Sequence, residues 1–236
     1  MNSSDQALAS FLILPLYLIS FQYLIANTLR PLMTEPTRLP SDKKKELAAP
    51  VAESTRARIL DAAAHLIRKK GFKATTVRDI GNAVGLYSGS LFHYFKTKDE
   101  ILMEVMRAAF ISICTRHEQA LASALTPLEK LRQFIWQEVN LVFIDEEGDY
   151  HAVLYFDWRD VSPKHLPELI QLRKRYFSSW TEVVRQCHEA GHLKGDPAIA
   201  VRVIEGTLRG MMSWYKPDGR YNPHEIADEI ILIVAK

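Results

Sequence analysis

From Ser54 to the end of the chain, apolar residues return every three or four positions, the spacing that lines one face of an α-helix. Ile59, Ala63, Leu66 and Ile67 form one stripe; Leu102, Val105, Met106, Ala109 and Ile113 form another. The same spacing joins Leu128, Leu131, Ile135, Val139 and Val142, then Leu169, Leu172, Tyr176, Val183 and Cys187. Val203, Ile204, Thr207, Leu208 and Met211 make a further stripe, and Ile226, Ile230 and Val234 a last one. No sustained apolar–polar alternation asks for a sheet. The pattern predicts an all-α fold with about nine helices after residue 53.

Polar residues punctuate these stripes as helix caps should. Thr76 with Asp79, Thr97 with Glu100, Thr126-Pro127 with Glu129, Ser162-Pro163, Asp196-Pro197, and Asn222-Pro223 with Glu225 each offer an N-cap acceptor, followed by a proline at the first helical position or an acid two further on. The first three helices are short: one near 54–70 ending at Gly71, one from Thr76 to Gly85, and one over about Ser88–Phe95, "SGSLFHYF". Ile80, Val84, Leu86, Leu91 and Phe95 can close a small core against the first helix. That is a helix-turn-helix, whose last helix can lie in a major groove of DNA.

Charge sharpens this picture. The net charge of +2 conceals nine Lys/Arg against two Asp within residues 54–98, while the remainder is neutral or acidic. A small basic unit on a larger acidic one suggests that only the first meets a polyanion. Three organisational units follow: 1–53, a polar linker with an apolar segment; 54–98, the DNA-binding unit; and 99–236, a helical ligand-binding and dimerisation unit. With 47% hydrophobic and 25% charged residues the chain has a globular composition. Two cysteines, Cys114 and Cys187, cannot build a disulfide framework and point to a reducing, cytoplasmic setting. Ser88, Gly89 and Ser90 are small enough for close approach to a duplex, His93 and Tyr94 add polar aromatic edges, and Arg78, Lys96 and Lys98 flank them.

The stretch "RILDAAAHLIRKKGFKATTVRDIGNAVGLYSGSLFHYFKTKDEIL" (58–102) resembles the DNA-binding end of the TetR family of bacterial repressors. The resemblance rests on G-F-x-x-T-T-V-R-D-I, the Gly-Leu turn, G-x-L-x-x-Y-F and K-x-K-x-x-L. It implies base and phosphate contacts from Arg78, Ser88, Gly89, Ser90, Phe92, His93 and Tyr94, a phosphate-facing Lys98, and Thr76 capping near the backbone. It also implies a homodimer on two-fold operator DNA, with salt-sensitive binding. Gly81 stands where the family usually has alanine, which should loosen the second helix by up to about 1 kcal/mol.

Beyond residue 99 the chemistry changes. "FIWQEVNLVFIDEEGDYHAVLYFDWRDVSP" (134–163) is dense in aromatics, and Trp136, Phe143, Tyr155 and Trp158 suit an elongated apolar cavity with Asn140, His151 or Arg159 at a polar head. "FDWRDVSPKHLPELIQLRKRYFSSWTEVV", "AGHLKGDP" and "GMMSWYKPDGRYNPHEIADE" are similar, more loosely, to a TetR subgroup controlling fatty-acid and steroid breakdown. That similarity implies a fatty-acid or acyl-CoA effector, with Arg159, Lys164, Arg173 or Lys174 at the cavity mouth. It also favours the last two helices, rich in Gly206, Thr207, Gly210, Met211, Met212 and Trp214, as the dimer interface. No cofactor is implied.

Two stretches read differently. "HEAGH" (188–192) matches the His-Glu-x-x-His of zinc hydrolases, but Gly191 and the following "LKGDP" mark a helix exit that turns His192 away from His188. The apolar "ALASFLILPLYLISFQYLIA" (7–26) is long enough to span a bilayer, which would tether the regulator. Translation starting at Met33, or an extra docked helix, are the other readings of that segment.

Overall fold

The computed structural model describes residues 51–236, with Glu146 and Pro217 excepted. The apolar stretch 7–26 and Met33 lie outside the described residues. Among the described residues there are nine α-helices: α1 Val51–Lys70, α2 Val77–Val84, α3 Ser88–Leu91, α4 Lys98–Ala122, α5 Pro127–Phe143, α6 Gly148–Phe156, α7 Leu166–Glu189, α8 Pro197–Trp214 and α9 Pro223–Val234. A single 3-10 turn, Trp158–Asp160, follows α6. The extended backbone among them amounts to one bridge between Leu193 and Ala235. The all-α expectation holds.

Most predicted caps form. Thr76, Thr126 and Asn222 each accept from the amide of an acidic N3 residue whose carboxylate accepts from the cap amide in return. Thr97 accepts from the Glu100 amide, and Asp196 from Ala198 and Ile199. Ser162-Pro163 departs from expectation. The Ser162 carbonyl accepts from the His165 amide in a separate turn, and α7 starts only at Leu166, with His165 as an N-cap without a side-chain bond. The later Pro167 occupies its first turn, where a missing N–H goes unused.

The third helix is shorter than the predicted Ser88–Phe95. After Leu91 the bonds tighten to the i−3 pattern, His93 donating to Ser90 at 3.2 Å and Tyr94 to Leu91 at 3.0 Å, before Phe95 returns to Leu91 at 3.1 Å. Leu91 and Phe95 are fully buried beside Ile59, Ile67, Ile80 and Leu102, in one apolar core that continues into α4, α5 and α7. α1 packs on α2 and α4 and also along α6. The basic head therefore shares its framework with the domain behind it.

Gly81 reverses its expectation. A methyl group built there would lie 2.7 Å from the Leu86 carbonyl oxygen, while the Leu86 amide donates to the Gly81 carbonyl at 2.8 Å. The helix-turn-helix brings the two backbones into direct contact, closer here than a Cβ at this position would allow without a shift. Gly85, left-handed at φ 73°, completes it. Gly81→Ala should lower the free energy of unfolding by about 1–3 kcal/mol, the cost of overpacking a tight site. Gly89→Ala, where an added methyl meets nothing within 4 Å, should leave it unchanged. Chemical denaturation of both variants checks this; an unaltered midpoint for Gly81→Ala contradicts it.

Candidate nucleic-acid interface and ligand core

Several of the head's charges hold the head together. Arg58 donates to the Val84 carbonyl at 2.9 Å, closing the end of α2. Arg56 pairs with Glu104 at 2.9 Å and lies over the Phe95 ring. Lys70 lies 2.6 Å from Asp79. That contact, with the Thr76 amide and hydroxyl, holds the Asp79 carboxyl well below the usual carboxylate range. The ammonium of Lys98, the predicted phosphate-facing lysine, donates to the Phe72 and Thr75 carbonyls, both at 2.9 Å, and sits over the Phe72 ring. Burial of this ammonium lowers its pKa. It ties the start of α4 to the loop before α2.

What remains outward is a compact set. Arg78, Ser88, Gly89, Phe92 and His93 are exposed, Ser90 is half-buried, and Tyr94 turns partly into the core. Thr76 is exposed at the start of α2, its hydroxyl spent on the cap. Tyr87, absent from the sequence-based set, is the most projecting of them: 90% exposed as the N-cap of α3, with no side-chain bond there. Its signal in the sequence was a large aromatic directly after the Gly85-Leu86 turn, where nothing remains for it to pack on.

The predicted aromatic cavity is redistributed. Trp136 stacks on His224, Phe143 leans on Tyr215, and Trp158 meets Phe110 edge-on beneath the Arg173 guanidinium. Arg159 is exposed, and Lys164 pairs with Asp99 at 3.2 Å. These residues occupy separate places. Surface pockets lined by Glu118, Arg175 and Glu182, and by Asp61, Glu147 and Tyr150, include none of them. Asn140 has a buried Oδ1 without a hydrogen-bond partner.

His151 and Tyr155 instead join a buried polar cluster. Tyr155 donates to Glu138 Oε2 at 3.3 Å, and His117 Nε2 lies 3.8 Å from Glu138 Oε1. His117 stacks on Phe134 and meets Trp180 edge-on. Burial pushes the Glu138 carboxyl up to about 7, against the pull of Tyr176, Trp180 and Tyr155. Burial holds His117 and His151 down at about 3, with His151 and Arg116 respectively adding to the effect. Sequence reasoning missed His117 and Glu138 because each occupies a core position of a stripe otherwise filled by apolar residues. That misplacement was itself the available signal.

The "HEAGH" motif is a helix terminus. α7 ends at Glu189, Gly191 is left-handed at φ 76°, its amide donates to His188, and the His192 amide donates to Cys187. This paired pattern is a Schellman turn. Glu189 is bound by Arg185 at 2.6 Å. The two histidines therefore do not stand one turn apart on a continuous helix. Among the described residues no group of three or more His, Cys, Asp or Glu is arranged to hold a metal ion, and no helix is long and apolar enough to cross a membrane.

The last two helices leave large apolar side chains in the open. Ile199, Val203 and Trp214 on α8, with Leu232 and Ile233 on α9, are between 45% and 66% exposed. Val203 thus leaves the buried stripe that sequence spacing assigned it to, while Ile204, Leu208 and Met211 remain inside. Exposed apolar side chains of this kind suit packing against a helical partner.

The buried cluster contributes to acid sensitivity. On unfolding below pH 6.5, His117 and His151 each gain a proton that the fold refuses, whereas Glu138, protonated in the fold, loses one down to about 4.5. The unfolded state then binds one proton more, so stability should fall by about 1.4 kcal/mol per pH unit between roughly pH 6.5 and 4.5. Urea titrations across that window should show His117→Gln flattening the slope and Glu138→Gln steepening it. Parallel slopes for all three proteins would refute this.

Comparison with known proteins agrees with the architecture. Residues 59–105 match the family model described as bacterial regulatory proteins, tetR family, and residues 124–236 match the tetracyclin repressor-like C-terminal domain. The transcriptional repressor KstR2 of Mycolicibacterium smegmatis is 30% identical over 189 residues, covering 77% of this chain and 89% of that protein. The TetR-family regulator PfmR of Thermus thermophilus superimposes with a TM-score of 0.66 at 32% identity, over 75% of this chain and 96% of that one. AibR, solved with isovaleryl coenzyme A and operator DNA, shares the fold with a TM-score of 0.70 at 22% identity, over 76% and 97%. Two matched domains and a relative 30% identical over 89% of its own length make this chain a member of the TetR family of bacterial transcriptional regulators.

Proposed function

We propose that this regulator is a dimeric cytoplasmic repressor, released from its operator by an apolar effector of the fatty-acid or acyl-CoA class. It acts by binding, without catalysis and without a cofactor. Tyr87, Ser88, Gly89, Ser90, Phe92, His93 and Tyr94 meet the DNA, with Arg78 beside them on α2 and Thr76 fixing that helix. The exposed face of α8 and α9 joins the two subunits.

The observation that carries this reading is the position of α6. One side of it reaches the head: Asp149 lies 3.0 Å from His65 and 2.8 Å from Arg68, and the Tyr150 hydroxyl donates to Asp61 at 2.9 Å. Just beyond it, Asp157 accepts from the Phe72 amide at 3.1 Å and Asp160 lies 3.3 Å from Lys73. The other side carries His151 and Tyr155 into the ligand core. A ligand that favours a shifted α6 favours a shifted α1, and with it a different spacing of the recognition helices. That is release by differential affinity for two states. AibR, crystallised with both an acyl-CoA and operator DNA, supports the effector class.

Genomic fragments retained by the purified protein, challenged with coenzyme A thioesters of increasing acyl length, test the whole reading. At least one thioester should release the DNA; thioesters that bind yet leave DNA affinity unchanged would refute it. Arg78→Ala should reduce the slope of log K against log salt by about 1. Tyr87→Ala should weaken operator binding without lowering the melting temperature, since its ring packs on nothing. Fluorescence anisotropy across a salt series reads both.

A further inference from the structure

We propose that the buried cluster around Glu138 reads an uncharged oxygen group, a carbonyl or hydroxyl, carried on an otherwise apolar effector. The inference rests on the effector reading above and specifies what the ligand core recognises.

Four helices contribute polar side chains to this cluster: His117 from α4, Glu138 from α5, His151 and Tyr155 from α6, and Tyr176 and Trp180 from α7. His117, Glu138, His151 and Trp180 are 0%, 3%, 1% and 0% exposed. Both ring nitrogens of His117 and His151 Nε2 lack a hydrogen-bond partner among the described residues; Glu138 Oε1 and Trp180 Nε1 lack one of good geometry, although the indole and the Tyr176 hydroxyl lie near enough to draw the carboxyl down. His117 Nε2 lies 3.8 Å from Glu138 Oε1, too long for a hydrogen bond. Phe134 and Tyr176 wall the place with aromatic rings. Native cores seldom leave so many polar groups unpaired or poorly paired together, and a ligand that pairs with them recovers what their burial cost.

The character of the cluster selects the ligand. Neutral imidazoles, an indole N–H and a carboxyl that retains its proton in part near pH 7 present both donors and acceptors to a neutral oxygen. A carboxylate would be desolvated beside Glu138, and Arg209, the guanidinium that lies over Tyr155, is already held by Glu205. A carbonyl or hydroxyl carries no such penalty. Because His151 and Tyr155 belong to α6, a ligand seated here touches the helix that grips the head.

Matched eight-carbon probes separate these possibilities: 2-octanone, 1-octanol, octane and octanoate, titrated into the full-length protein by tryptophan quenching. The ketone and alcohol should bind about tenfold or more tighter than octane, the equivalent of one hydrogen bond. Octanoate should bind more weakly than the ketone. Glu138→Leu should bring ketone and alkane to near parity, whereas Glu138→Gln, which keeps a donor and an acceptor, should retain the preference. Replacing a buried carboxyl by an apolar group of similar size is compatible with folding; should that variant fail to melt cooperatively, His117→Phe makes the same comparison. Equal binding of octane and 2-octanone by the wild type, or an undiminished preference in Glu138→Leu, overturns the inference while leaving an apolar effector site intact. If none of the four probes binds, the effector reading falls and this inference falls with it.

Discussion

A helix of four residues cannot hold its own shape, because the first helical turn costs more than it returns. The reading element of this regulator, α3, therefore depends on burying Leu91 and Phe95 against α1 and α4. Both side chains are wholly inaccessible, and the backbone between them tightens to keep them inside. Its direction is set by the core behind it. The Gly81–Leu86 backbone contact fixes the angle at which α2 delivers the chain to α3. Charge serves the same end: Arg58 closes α2, and Lys98 pins the loop before it to α4. Part of the head's cationic character is thus spent on architecture, while Arg78, Tyr87, Phe92 and His93 stay exposed.

Because α1 supports α3 on one side and α6 on another, the orientation of the head is tied to the interior of the larger domain. Beside the shared apolar core, the tie includes directional polar contacts, Asp149 to His65 and Arg68 and Tyr150 to Asp61. Exposed or half-exposed ion pairs of this kind contribute little stability each. They are suited to transmitting a displacement, since they can re-form after a small shift. The interior on the other side of α6 has the opposite character. There His117, Glu138, His151 and Trp180 bring unpaired or poorly paired polar atoms together among aromatic rings. Dense packing favours discrete arrangements over gradual deformation, so such a seam is where a second arrangement can compete.

Local chemistry was the legible part of the sequence. The capping residues at Thr76, Thr97, Thr126, Asp196 and Asn222 start their helices as read, since an N-cap needs only its own next three residues. The Schellman turn at Gly191 was legible for the same reason. What the chain concealed depends on tertiary neighbours. Lys98 reads as a surface base until Phe72 and Thr75 present their carbonyls to it. Gly81 reads as a weak helical position until Leu86 folds back upon it. The aromatic run at 134–163 reads as one lining because periodicity gives a face but not its partner. In the fold Trp136 faces His224 and Trp158 faces Phe110.

The central claim is that the ligand core and the recognition helices move together. Cys114 and Cys187 are both buried, so one introduced thiol at the exposed Asn82 allows a single spin label on each head. Pulsed dipolar spectroscopy of the dimer should show label separations on operator DNA compatible with successive major grooves about 34 Å apart. A thioester that releases the DNA should shift that distribution to a different separation. Operator release with an unchanged distribution would contradict the account.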